Sequence, residues 1–264
     1  LVSNEKKDPL LAAQAVMTDM LKVIHQICEE NDIKYWLSDG TLLGAIRHKG
    51  FIPWDDDTDI GMLREDYERF VSIIAEKLPA PYKVQSKENQ THGLHNWCKI
   101  MYMDDFEWVD WNGNWTKGLS IDVFPFDYAK IPEKTTAVKL INRLASIKNP
   151  LEVNNLKTFG QRCIHKLNLH KFYSLFNREA EYITYGMETP YYGWSFFKTS
   201  EIFPLRSGEF EQENFPIPHN FDHYLTKLYG DYMKIPDKKD RVSHMAKLRF
   251  STDENSRGKI KRSV

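Results

Sequence analysis

The chain has 264 residues, of which 41% are hydrophobic and 13% aromatic, with 36 Lys and Arg set against 37 Asp and Glu. That length and apolar content exclude disorder for most of the chain and fit one large domain, or a domain with a helical appendage. A net charge of −1 excludes a nucleic-acid binder that works through a globally basic surface.

Asp8 and Pro9 open an amphipathic helix predicted over 9–31, in which Ala13, Met17, Met20, Leu21, Ile24, Ile27 and Cys28 keep the 3.6 period. Gln14, Thr18, Asp19, Lys22, His25 and Gln26 interrupt it, so it is no membrane span of about twenty apolar residues. No basic n-region and small-residue cleavage site bracket it as a secretory signal. Lys34 to Leu37 is β-prone, and Asp39-Gly40-Thr41 then reads as a tight turn into a short helix over Leu42–Ile46. Thr58–Met62 reads as a short strand, and Tyr67, Phe70, Val71, Ile74 and Leu78 restore the helical period up to Pro79 and Pro81. Tyr82–Gln85, Trp97–Met103, Glu107–Trp111 and Leu119–Phe124 are strand candidates, with Asn112-Gly113 as a turn. The first half is therefore expected to be α+β with a mainly antiparallel sheet. From about Lys134 the chain reads as mostly helical or irregular, without repeats or low-complexity tracts. Cys28, Cys98 and Cys163 are widely spaced, with neither disulfide-framework nor zinc-ligand spacing, and a reducing compartment is expected.

Chemistry concentrates at Trp54-Asp55-Asp56-Asp57-Thr58-Asp59, four acids within five residues. Such a cluster is costly beside apolar neighbours unless a cation neutralises it. On a strand, residues two apart share a face at about 6.7 Å, so Asp57 and Asp59 can converge on one hard cation, and Asp55 joins them if the strand starts early. Oxygen-only ligation favours Mg²⁺ or Mn²⁺. A solvated acidic turn is the plainer alternative, and the flanks bear on the choice. Upstream, Gly40-Thr41 suits a phosphate at a helix N-terminus. Downstream, Asp122 is a single acid inside the apolar run Leu119–Pro125, where a metal would supply the partner that a buried carboxylate needs.

The run Tyr35-Trp-Leu-Ser-Asp-Gly-Thr-Leu-Leu-Gly-Ala-Ile-Arg-His-Lys-Gly-Phe-Ile-Pro-Trp-Asp-Asp-Asp-Thr-Asp59 resembles the signature of the LicD/fukutin-related phosphotransferases. The likeness continues through Lys99-Ile100, Ile121–Pro125 and Tyr229–Pro236, then Arg241 and His244. It is weakest over about 130–210, and Asp39 stands where the pattern often has Gly. The resemblance implies a DNA-polymerase-beta-like nucleotidyltransferase core over 1–130, with a helical or irregular part over 131–264 for donor and acceptor recognition. It also implies transfer of phosphocholine from CDP-choline to a sugar of a teichoic-acid-like or lipopolysaccharide precursor, or of ribitol phosphate as in the animal relatives. A polyprenyl-linked or glycolipid-linked oligosaccharide would be the acceptor, met in the cytoplasm at the inner face of the cell membrane.

Under that implication Asp57, Asp59 and Asp122 bind Mg²⁺ or Mn²⁺, and Asp122 or Asp55 serves as general base. Arg47, His48 and Lys49 are candidate phosphate clamps, against the alternative of an ordinary basic helix end. Trp108, Trp111 and Trp115 are candidates for an aromatic cage around choline, against cross-strand packing in a hairpin. Trp54, Trp97, Tyr191, Tyr192 and Trp194 are the other cage candidates. Residues 134–178 carry nine Lys and Arg against Glu152 alone, a local charge of +8. Ala137, Ile141, Leu144 and Ile147 line one helical face there, compatible with contact to an anionic membrane or with a core-facing helix. Transfer of another CDP-activated alcohol phosphate (ribitol or glycerol) and a non-catalytic choline- or glycan-binding module are the alternative functions.

Overall fold

The computed structural model describes residues 8–85, 97–109, 113–130, 180–189, 191–241, 243, 245 and 247–251. The basic segment 134–178, Trp111 and His244 lie outside them.

Helix α1, Pro9–Glu30, begins where expected: the Asp8 carboxylate accepts from the Leu10 amide at 2.9 Å, and Pro9 needs no partner for a missing N–H. Its buried face, Met17, Met20, Leu21, Ile24 and Cys28 among others, packs against the sheet. Each such side chain contributes roughly 1.5–3 kcal/mol by leaving water. Strand β1, Trp36–Leu37, leads into α2, Asp39–His48, and β2, Thr58–Leu63, leads into α3, Arg64–Lys77. Strands β3, Tyr82–Val84, β4, Cys98–Val109, and β5, Trp115–Ala129, complete the first half. Gly40-Thr41 therefore lies inside the first turn of α2, and Asp39, at φ 49°, makes the sharp entry.

The sheet runs β1-β2-β5-β4-β10, where β10 is Leu248–Phe250. Every pairing in it is antiparallel except β2 with β5, which run parallel. Gly61 makes room for two rings packed over β2: a Cβ there would stand 2.7 Å from the Trp36 ring and 2.8 Å from Phe126.

The second half departs from the expectation of helix or irregular chain. Among the described residues, β6, Tyr182–Tyr185, pairs with the end of β5, and β7, Phe196–Lys198, pairs with β6. A separate hairpin is formed by β8, Arg206–Phe210, and β9, Glu213–Ile217. Helices α4, Thr199–Ile202, and α5, Phe221–Tyr229, complete it. These strands are three to five residues long, too short for alternation to stand out. They hold because Ile183, Tyr185, Phe197 and Phe215 are buried in the common core. Among the described residues no helix is long and apolar enough to cross a membrane.

Candidate active site

The parallel pairing of β2 and β5 sets Asp59 directly beside Asp122. The antiparallel pairing of β4 sets Lys99 on the other side of Asp122. The Lys99 ammonium forms an ion pair with Asp122 Oδ1, and Trp97 Nε1 donates to Asp122 Oδ2 at 3.2 Å. Lys99 was part of the quoted likeness but carried no role in the sequence reading. Its position two strands away from Asp59 emerges only from register.

Asp55 and Asp57 precede β2 and converge through a turn rather than through strand alternation. Asp55, Asp56 and Asp57 each bring a carboxylate oxygen within 4.8 Å of the others. Asp56 is committed to structure, accepting from Ser243 Oγ at 2.6 Å and the Met245 amide at 2.7 Å. Gly40 leaves room for this turn, since a Cβ there would stand 3.0 Å from Asp55 Oδ2. Thr41 Oγ1 accepts from the Asp59 amide at 2.8 Å and so ties α2 to the start of β2.

The charge is crowded. Burial, then the carboxylates of Asp57, Asp39, Asp122 and Asp55, hold the Asp59 carboxyl well above the usual range. Burial also pushes Asp39 up to about 6, opposed by the Tyr185 hydroxyl, which donates to Asp39 Oδ1 at 2.6 Å. Among the described residues none forms an ion pair with Asp59. Repulsive oxygens with no sulfur or imidazole among them suit a hard divalent cation.

Two tyrosines border the cluster. Tyr229 is 43% exposed, and its hydroxyl pKa is raised first by burial and then by Asp39 and Asp59. Tyr191 is pushed up to about 12 by burial and then by Asp59 and Asp122. Its ring meets Phe124, Tyr185, Trp97 and Trp194 at centroid distances of 5.6–6.4 Å.

The basic candidates divide. Arg47 donates through NH1 to the Tyr232 carbonyl at 2.6 Å and through Nε to His48 Nε2 at 2.9 Å, so it fastens the segment after α5 to α2. His48 lies edge-on to Trp54, and Lys49 closes α2 in the left-handed region at φ 60°. Arg241 stacks over Trp54, 3.9 Å from the ring centroid.

Trp108 and Trp115 are not brought to the carboxylates. Trp108 pairs with Thr116, six positions before Asp122, or about 20 Å along an extended strand. Its Nε1 donates to the Gly118 carbonyl at 2.8 Å, and the Arg249 guanidinium covers Trp115 at 3.5 Å from its centroid. Hairpin packing accounts for both residues.

Asp55, Asp57, Asp59 and Asp122 all lie within a stretch that matches a known family. Residues 32–154 match the family described as LicD/FKTN/FKRP, nucleotidyltransferase domain. Over 259 residues the chain is 29% identical to the lipopolysaccharide cholinephosphotransferase LicD of Haemophilus influenzae, covering 90% of this chain and 97% of that protein. An uncharacterized protein of Rickettsia prowazekii is 39% identical over 87 residues, 33% of this chain and 31% of its own. Human ribitol 5-phosphate transferase FKRP is 50% identical over 40 residues, 15% of this chain and 8% of that protein.

Proposed function

Because the chain belongs to the LicD/FKTN/FKRP family, we propose that it transfers phosphocholine from CDP-choline to a sugar hydroxyl of a cell-surface glycopolymer precursor. The supporting observation is the crowding of carboxylates around Asp59, where β2 and β5 meet. A choline- or glycan-binding module has no need of such repulsion.

In this reading the β2–β5 sheet is the nucleotidyltransferase-type core, and the chain beyond about 130 recognises donor and acceptor. Asp57, Asp59 and Asp122 would hold Mg²⁺ or Mn²⁺, which supplies neutralisation of the donor pyrophosphate when bound. Asp122 or Asp55 accepts the proton of the attacking sugar hydroxyl. The sugar oxygen bonds to the phosphorus that bears choline, the bond from that phosphorus to the oxygen of CMP breaks, and CMP departs. Lys99, paired to Asp122, would be the protein's own cation available to negative charge that develops on the phosphate. The acceptor would be polyprenyl-linked or glycolipid-linked, met at the cytoplasmic face of the membrane.

A second reading, transfer of ribitol or glycerol phosphate from a CDP-alcohol, is favoured by the 50% identity to human FKRP over 40 residues. Incubation with CDP-choline, CDP-ribitol and CDP-glycerol, each with Mg²⁺ and a polyprenyl-linked oligosaccharide, separates the two. Acceptor-dependent release of CMP from CDP-choline alone is the expected result. Release only from CDP-ribitol or CDP-glycerol overturns the choline assignment.

A further inference from the structure

Resting on the CDP-choline reading above, we propose that Tyr191 and Trp194 form the subsite for the trimethylammonium group of the donor and set which CDP-alcohol is accepted. In a choline phosphate ester the quaternary nitrogen is four bonds from phosphorus. Its binding surface therefore has to border the carboxylates that would hold the pyrophosphate. Its methyl groups donate no ordinary hydrogen bond, so aromatic faces and nearby negative charge are what recognise it.

Those two conditions sort the aromatic side chains. Trp108 and Trp115 are about 20 Å along the strand from Asp122, and Arg249 already covers Trp115. Trp54 borders the site, but the Arg241 guanidinium 3.9 Å from its centroid puts a like charge on its face. Tyr192 is only 2% exposed. Trp97 is engaged through Nε1 with Asp122, and the Lys99 ammonium lies 5.7 Å from its centroid. Tyr229 also borders the carboxylates but stacks on no other ring among the described residues, so Tyr191 and Trp194 remain as the stacked pair. Tyr191 borders the carboxylates: its ring lies 6.4 Å from that of Trp97, whose Nε1 donates to Asp122, and 5.6 Å from that of Tyr185, whose hydroxyl donates to Asp39. Trp194 stacks on it at 5.6 Å and 25°, and is 55% exposed.

The exposure of Trp194 is built in. The Trp194 amide donates to the Tyr191 carbonyl at 2.8 Å, and the Gly193 amide donates to Thr184 Oγ1 at 3.0 Å. That hydroxyl in turn donates to the Ser195 carbonyl at 2.7 Å, so a buried threonine of β6 grips the turn on both sides of Trp194. Phe124 meets the Tyr191 ring edge-on at 5.7 Å and Tyr185 supports it at 5.6 Å. A wired turn displays a large aromatic surface beside anionic groups, the combination that a quaternary ammonium requires.

The test compares kcat/KM for CDP-choline and CDP-ethanolamine in the wild type, Trp194→Ala, Trp194→Phe and Tyr191→Leu. The primary ammonium of ethanolamine keeps its hydrogen bonds to water and depends less on ring faces. Trp194→Ala and Tyr191→Leu are expected to lower the preference for CDP-choline by about tenfold, and Trp194→Phe to retain most of it. An unchanged preference in both Trp194→Ala and Tyr191→Leu, in an enzyme that turns over CDP-choline, overturns the subsite and leaves the donor reading intact. Absence of CDP-choline turnover in the wild type overturns both.

Discussion

Two places along β2 and β5, one at the start of their pairing and one where β2 gives way to α3, bury charge in opposite ways. At one, Asp59 of β2 lies beside Asp122 of β5. Five residues beyond each stand Arg64, which opens α3, and Asp127 of β5. There the Arg64 guanidinium makes paired hydrogen bonds to Asp127, at 2.8 and 3.0 Å, and to Glu188, at 2.6 and 2.8 Å. All three side chains are 5% exposed or less, and the Met187 amide supplies a further bond to Asp127. The second site is hydrogen-bonded within the chain, one guanidinium serving two carboxylates; at the first, Asp59 is crowded by other carboxylates and forms no ion pair among the described residues. Fixed dipoles and cations that neutralise a buried acid serve structure, whereas an excess left over invites a ligand from outside.

The comparison breaks most visibly at Asp59. Asp59→Ala is expected to reduce CMP release by about a thousandfold or more, while the thermal melt stays level or rises because repulsion is relieved. A variant with wild-type turnover would remove Asp59 from the chemistry. At the other site the effect moves to stability: Arg64→Met strands two buried carboxylates and should cost about 3–5 kcal/mol, read by urea denaturation. A loss within 1 kcal/mol would show that Arg64 does not hold the two carboxylates as described.

Acidity sharpens the contrast. The Asp39 carboxyl sits at about 6 against an ordinary 3.8, and Asp59 is raised as well, both chiefly by burial. The folded state therefore holds protons that the unfolded chain has released: Asp39 subtracts stability as pH rises from about 4 through 6, and Asp59 does so as pH rises above the ordinary carboxyl range. The metal-free protein should melt at lower temperature at pH 7 than at pH 5. Mg²⁺ should flatten that slope, because a bound cation favours the ionised carboxylates. An identical slope in Asp59→Asn would detach it from this site. The smallest effect belongs to the far end of the hairpin, where Trp115→Ala should change the KM for CDP-choline by less than about twofold.

Much of this arrangement was legible in the residues, and the limits are physical. Helix α1 and the acidic run could be read directly, because a cap, a 3.6 period and four acids in five residues are local signals. Asp122 stood out as one acid in an apolar strand, but its neighbour Lys99 did not, since only register joins them. The phosphate role considered for Arg47 could not anticipate that the carbonyl of Tyr232, 185 residues away, would take its guanidinium. The cage candidates around Asn112-Gly113 were chosen by closeness in sequence. The turn that holds Tyr191 and Trp194 reaches the carboxylates through β6, a four-residue strand with little pattern of its own.

The carboxylates crowded around Asp59 are proposed to serve a cation and a nucleotide-linked donor. The most direct measurement is the melting temperature of wild type and Asp59→Asn with Mg²⁺, CDP-choline, both together, and both followed by EDTA. The account predicts a rise in wild type that needs both additions, reverses with EDTA and is lost in Asp59→Asn. An equal rise in the two proteins, or one in wild type indifferent to EDTA, would contradict it.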